Sequence, residues 1–480
     1  MKRWKLTGGA DRAGRDRIAF QGGSYSLIIT AVVLAILIAV NILVSALPSG
    51  MTRFDISSSK LYSITSNTKV VVNALEEDVT IYWIVQSGEE DAVIENLLEK
   101  YESLSDHITV VKRNPDVYPT FAQQYTDETV QNNSLVVECG DRSRYIANDD
   151  IYVTDTNMVT YYNTSFDGEG AITSAIDYVV TEDFPQLYLL EGHGEAELPA
   201  YFQEQLEKEN IQLNTLSLLT VDEISEEADC LMIYAPSSDI SEEEKEMLAQ
   251  YTQSGGRLLV IAGPAEEDSL DNLYSLLGDY GVETCQGIVV EGDRERYTYQ
   301  PLVLLPEMSS HEITDALIEA NYYPNMPVSQ GLILDNADAS VTALLTTSDA
   351  SFSKAAGYAL DTYEKEEGDT DGPFALAVSV DCGGEGQIVW FTSSYFLQDR
   401  YNGWSSGANS DLAMNALASL VGEREAMSIR SKSLNYDYLS ISGSTASLLK
   451  VLMIGVVPLA YLGVGICVIL RRRRKQNEAG

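Results

Sequence analysis

Histidine is scarce in this 480-residue chain: His107, His193 and His311 are the only three. A nucleophilic serine or cysteine needs a base within hydrogen-bond reach, so few such pairings are on offer. Cysteine is also rare. Cys139, Cys230, Cys285, Cys382 and Cys467 include no C-x-x-C pair, which argues against dithiol redox chemistry. No G-x-x-x-x-G-K-[ST] occurs, so the chain is not itself a P-loop ATPase. Basic residues are outnumbered 31 to 72, a net charge of −41. Nucleic acid is repelled by such a surface. There is no internal repeat and no long disordered linker.

The charge deficit is uneven. Eleven of the 31 basic residues but only three of the 72 acidic ones lie in residues 1–24 and 471–480, leaving 20 against 69 between them, a net of −49. Between those basic ends and the acidic middle stand two uncharged apolar runs, Tyr25 to Leu47 and Val451 to Leu470. Each is long enough to cross a bilayer as a helix. Basic flanks outside the pair put both termini in the cytoplasm and the acidic middle outside the membrane. A cleaved signal peptide is the alternative for the first run, with Ser45, Ala46 and Ser49 as small residues near a cleavage region, although a signal's apolar region is shorter. Gly455, Pro458, Gly463 and Gly465 in the second run are tolerated in membrane helices or mark a packing face.

The folded part is organised around Pro185 to Pro264. QLYLL, ADCLMIYAP and RLLVIAGP read as strands, alternating with segments of helical period, the pattern of a parallel sheet with crossover helices. Ser241 and Glu244 form a capping box, Met247, Leu248 and Tyr251 share the face that meets the sheet, and Gly255 with Gly256 stops the helix. Upstream, SITSNTKVVVNAL reads as a capped helix, and VTIYWIV, AVIENLLEKYESL and HITVVKRN as β-α-β. That start is consistent with a thioredoxin-like subdomain. The expected order is a cytoplasmic tail (1–24), a membrane helix (25–47), an N-terminal α/β subdomain (48–165), a larger α/β domain (166–425), a juxtamembrane segment (426–450), a membrane helix (451–470) and a second cytoplasmic tail (471–480).

Open α/β sheets place ligands at the carboxyl ends of their strands, which directs attention to GHGE after the first strand. Gly192, His193, Gly194, Glu195 and Glu197 form the candidate ligand crevice. A histidine beside carboxylates suits a general base or a metal ligand; the competing interpretation is a turn histidine that caps backbone groups. G-x-S-x-G at Gly403, Ser405 and Gly407 has no later histidine, and S-x-x-K at Ser351 and Lys354 lacks its S-D-N and K-T-G companions. Asp369 and Asp371 lie in EKEEGDTDG (Glu364 to Gly372), which lacks calcium-loop spacing and reads as a solvated charge run. Cys230 and Cys467 read as small core residues, while Cys139, Cys285 and Cys382 are free to pair with no specified connectivity. The sequons at Asn132 and Asn163 matter only where exported proteins are glycosylated.

RFDISSSKLYSIT, FDGEGAITSAI, YLLEGHGE, SGGRLLVIAGP, GQIVWFTSSYF and NSDLAMNALASLVG, followed by a Pro-containing apolar run and RRRRK, appear in this order across nearly the whole chain. The ordered set resembles the GldG-like auxiliary proteins of ABC transport systems, whose soluble part is related to an intraflagellar-transport domain and similar in fold to class I glutamine amidotransferases. The resemblance implies a flavodoxin-like or amidotransferase-like sheet and a non-catalytic accessory subunit working beside a separate ATPase and a multi-span permease. It implies no cofactor. Amidotransferases need a cysteine at a strand-to-helix elbow, and here the strand LLVI ends in Ala262, Gly263 and Pro264. The expected location is the plasma membrane, in two passes. The alternative is an extracytoplasmic carbohydrate-binding receptor or hydrolase using the Gly192 to Glu197 crevice, with a sugar or peptide as ligand.

Overall fold

The computed structural model describes residues 31–39, 61, 63–155, 163–221, 223–225, 227–265, 269–421, 429, 432–434 and 450–477. Two compact units result: Met1–Val153 with Phe166–Lys432, and Thr154–Ser165 with Ser433–Gly480.

The larger unit begins with helix α1 (Ser66–Asn73), capped by the Thr65 hydroxyl, which accepts from the Thr68 amide. Strands β1 (Val79–Ile84) and β2 (Ile108–Arg113) are parallel and are joined by α2 (Ala92–Leu104). Asp91 starts α2 by accepting from the Val93 and Ile94 amides at 2.8 and 3.0 Å, satisfying donors that have no partner inside the helix. Ile94, Leu97, Leu98 and Tyr101, at helical spacing, are buried. Strands β3 (Ser134–Cys139) and β4 (Arg142–Ile146) complete a sheet of order β2-β1-β3-β4. Helix α3 (Gly168–Val180) packs here, with Ile172, Ala175, Ile176 and Val179 buried beside Val79, Ile81 and Val137. The chain then leaves for the second sheet at Gln186.

The second sheet is built on β5 (Gln186–Leu190), β6 (Gln212–Leu216), β7 (Cys230–Tyr234), β8 (Arg257–Ile261), β9 (Val341–Thr346), β10 (Ala375–Gly383) and β11 (Gly386–Phe391). Strands β6-β5-β7-β8-β11 form a parallel array in that order. Covered on both faces, such strands read as continuous apolar runs rather than alternating ones. Every residue of β7 is buried, as are the last four of β8. Beyond β11 the sheet turns antiparallel through β10, which pairs with β9; the expected all-parallel arrangement is therefore a mixed sheet.

Helix α4 (Ala200–Lys208) follows β5 and α5 (Glu242–Gln253) follows β7; α6 (Asp271–Gly278) comes after β8, then α7 (Glu312–Ala320) and α8 (Ala408–Val421). Phe202, Leu206, Ile313, Leu317, Leu412 and Leu417 of α4, α7 and α8 are buried in one apolar cluster. Leu248, Leu273 and Leu277 of α5 and α6 are buried in another. Leu258 and Val260 face the second cluster, while Leu259 and Ile261 face the first, the two-residue alternation of a strand. The capping box of α5 forms as expected, and the helix ends before Gly255 at φ 106°. A Cβ at Gly256 would lie 2.5 Å from the Tyr251 ring.

In the smaller unit the Leu434 amide donates to the Thr164 carbonyl at 3.1 Å. Val451–Val456 winds as π-helix and Val457–Asn477 as α-helix. Pro458 explains the change: its ring crowds the carbonyl four residues earlier and it offers no amide donor, which a π turn relieves. The apolar run is thus divided, and its α-helical part ends in RRRRKQN. Among the described residues no helix is long and apolar enough to cross a membrane. Most of the first apolar run lies outside the described residues; 31–39 of it are helical and exposed.

Candidate functional site

Strand order fixes where a site would lie. The chain runs from β5 outward to β6 and then crosses back past β5 to β7, so the connections after β5 and β7 diverge and leave a crevice at their carboxyl ends. Gly192 at φ 128° and Gly194 at φ 68° fold the GHGE turn back into that position, conformations that a Cβ disfavours. The His193 carbonyl accepts from the Ser237 and Ser238 amides, both at 3.0 Å, and from the Ser238 hydroxyl at 3.0 Å. A Cβ on Gly194 would stand 2.1 Å from Ser237 Oγ. The turn sits directly on the loop after β7. That loop opens with Ala235 at φ 47°, an uncommon conformation for a residue other than glycine.

His193 is buried between two carboxylates. Its Nδ1 lies 3.2 Å from Glu195 Oε1 and its Nε2 3.1 Å from Glu244 Oε2. A carboxylate oxygen thus lies within hydrogen-bond reach of each ring nitrogen. Glu195 also accepts from the Gly192 and His193 amides at 3.0 and 2.8 Å. Glu244 Oε2 accepts from the Ser241 amide and hydroxyl at 2.8 and 2.9 Å. Burial pushes the Glu244 carboxyl upward, but the Ser241 donors and His193 outweigh it and hold the group below its ordinary value. Glu244 Oε1 is buried without a hydrogen-bond partner.

Of the candidate crevice residues, Gly192, His193, Gly194 and Glu195 form the turn, while Glu197 is exposed and makes no part of the bridge. Sequence reasoning missed Glu244, Ser237 and Ser238. The capping box identified Glu244, but its contact with a histidine 51 residues away in the chain left no local signal.

At the neighbouring strand end, Ala262 is fully buried and Gly263 donates its amide to Ser394 Oγ at 2.8 Å. A Cβ at Gly263 would meet the Ser394 amide nitrogen at 2.7 Å. Neither residue supplies a nucleophile, and close backbone packing explains the glycine. Cys230 lies within β7, its thiol pushed up to about 12 by burial. Ser405 of the G-x-S-x-G match links two helices, donating to the Asn402 carbonyl at 2.9 Å and accepting from the Asn409 amide at 3.2 Å.

Lys354 of the S-x-x-K match is fully buried, with Nζ 3.0 Å from the Glu364 carbonyl, 2.5 Å from Glu366 and 3.2 Å from Asp369. The stretch expected to be a solvated charge run is exposed at Glu364 to Gly368, Thr370 and Asp371, and Lys354 pins it from beneath at Asp369, whose side chain is only 5% exposed. Burial raises the Asp369 carboxyl, but the Glu366 and Ala355 amides and Lys354 bring it below its ordinary value. Cys139, Cys285 and Cys382 are unpaired. Among the described residues no group of three or more His, Cys, Asp or Glu side chains is arranged to hold a metal ion.

The fold and this position define a class: a doubly wound α/β domain whose strand ends at the switch point present a buried histidine bridge. Residues 185–416 match the family described as an ABC-type uncharacterized transport system, which supports the resemblance to the GldG-like auxiliary proteins of ABC transport systems. Residues 58–153 match a domain of unknown function. No curated protein matches the chain. Among solved structures, the N-terminal domain of mmIFT52 is 18% identical with TM-score 0.38, over 49% of this chain and 98% of that one. A glutamine amidotransferase of Thermotoga maritima is 7% identical with TM-score 0.31, over 50% and 100%. A ThuA-like protein of Parabacteroides merdae is 10% identical with TM-score 0.29, over 52% and 98%.

Proposed function

We propose that this protein is a non-catalytic, membrane-anchored accessory subunit of an ABC-type transport or surface-machinery complex, partnered by a separate ATPase subunit and a multi-span permease. The observation that carries the proposal is the occupied switch point. The crevice where a ligand or reacting group would enter is filled by the chain's own GHGE turn, held by Ser237, Ser238 and Glu244. The family match over residues 185–416 supports the transport setting.

The two apolar runs are the anchors. Val451 to Leu470 spans about 30 Å at helical rise, the thickness of a bilayer's hydrocarbon core, and its described side chains are mostly exposed, Ile454 at 76% and Tyr461 at 77%. Water would not tolerate that surface; lipid would. RRRRK after it and the basic residues before Tyr25 place both termini in the cytoplasm and the acidic domains outside. The ectodomain then acts by binding or assembly. Tagged purification from gently solubilised membranes, with mass spectrometry of co-purifying proteins, tests this. A nucleotide-binding subunit and a multi-span permease are expected; recovery of the protein alone, under conditions that keep known complexes intact, would overturn the assignment.

A further inference from the structure

Two stretches flank the anchors in sequence: the end of RFDISSSKLYSIT, after the first, and the segment around Lys432, before the second. Both meet at one carboxylate. Glu169 is 2% exposed and lies in the turn FDGEG that starts α3. Its Oε1 accepts from the Thr65 amide at 2.7 Å and from the Thr65 and Thr68 hydroxyls, both at 2.8 Å. Its Oε2 lies 2.8 Å from Lys432 Nζ, which also donates to the Ser63 carbonyl at 2.6 Å. Thr173 extends the network, 3.0 Å from the Thr68 hydroxyl and 2.6 Å from that of Tyr101.

The neighbouring carboxylate has a different task. Asp167, also 2% exposed, pairs with Lys208 of α4 at 2.5 Å, so the same turn holds the first helix of the second sheet. Its glycines are sterically required: a Cβ at Gly168 would lie 2.6 Å from the Phe166 ring and one at Gly170 2.8 Å from Asp167 Oδ1. Ile429, just before Lys432, brings its carbonyl to 3.3 Å from that same Gly170 position.

We propose that Glu169 and Lys432 form a latch that joins the two anchor-proximal stretches to α3, so that the start of α1 and the segment at Lys432 are held or released together. The chemistry suits a coupling element. A buried ion pair contributes little net stability but is costly to leave half-made, so it favours one geometry and resists a graded one. That the flanking runs are anchors rests on the accessory-subunit proposal; the latch itself is a property of this chain.

The test is backbone hydrogen exchange on the full chain in lipid nanodiscs, comparing wild type, Lys432→Met and Lys432→Arg. Lys432→Met is expected to speed exchange of residues 66–73 by at least about tenfold, the scale of losing a buried ionic partner, with 230–234 and 257–261 unchanged. Lys432→Arg is expected to restore most of the protection, because its guanidinium still donates to Glu169. Unchanged exchange at 66–73, or an increase spread evenly over both sheets, would overturn the latch. Because these measurements use no partner protein, a failure to recover a transporter leaves their outcome independent.

Discussion

Replacing His193 with alanine removes the only side chain between two buried carboxylates, whose side chains are 9% and 6% exposed in Glu195 and Glu244. Each carboxylate loses a hydrogen-bonding partner, and water has little access to replace it. Removing one member of a buried ionic arrangement costs about 3–5 kcal/mol. The lower end applies here, because Ser241 still donates twice to Glu244 and two backbone amides still serve Glu195. For a domain of this size a loss of 1 kcal/mol lowers the melting temperature by roughly 2–4 °C, so His193→Ala is expected to melt about 6–12 °C lower. Differential scanning fluorimetry of the solubilised full chain measures this. Acidity should erode the difference. The Glu244 carboxyl is held below its ordinary value when folded, so its contribution is present above the unfolded carboxylate range and is lost as pH falls through the folded value. A variant melting within about 2 °C of wild type near neutral pH, less than a loss of 1 kcal/mol would give, would refute the bridge.

Gly194→Ala should destabilise by more than the roughly 1–2 kcal/mol of left-handed backbone strain, since its Cβ would also meet Ser237 Oγ at 2.1 Å; adding Ser237→Gly should recover only the steric part in the same melting assay. Lys354→Met is expected to free the segment Glu364 to Gly372 and speed its cleavage by a glutamate-specific protease, while unchanged cleavage would show that Glu366 and Asp369 do not need the lysine. Cys230, its thiol pushed up to about 12 by burial, and Cys139, raised to about 11 by burial and the adjacent Glu77, should resist alkylation of the native protein at about pH 8, where a free thiol is partly ionised. Both should react once the chain is unfolded; rapid native labelling would contradict their burial.

The parallel strands were legible because each is a short, continuous apolar run bounded by turn residues, as in CLMIY and RLLVI, and because Ser241 and Glu244 declare a helix start within four positions. The antiparallel extension was not. Glu283–Thr284, Glu307–Met308 and Leu332–Ile333 are two-residue strands, too short to carry a period. The four residues of the GHGE turn were found by their glycines, but Glu244 joins them through space alone. Composition read EKEEGDTDG correctly as a solvated run, since Glu364 to Gly368, Thr370 and Asp371 are exposed; what it left out is Asp369, drawn inward by the buried Lys354 fifteen positions earlier.

A chain with 20 basic and 69 acidic residues between its ends cannot neutralise its carboxylates by abundance, so the buried ones depend on position. Asp167 has Lys208, Glu169 has Lys432, Asp369 has Lys354 and Glu244 has His193. Glu291, also buried, is served instead by the Ser348 hydroxyl at 2.6 Å and the Asp293 amide at 2.9 Å. Each of the four ion pairs fixes a turn or loop against another part of the chain. A catalytic carboxylate needs a proton it can exchange and a reacting atom it can reach. Here fixed donors hold each carboxylate in one geometry while Glu244 Oε1 and Asp167 Oδ1 stay buried without a hydrogen-bond partner, so the charge on these groups serves to hold shape.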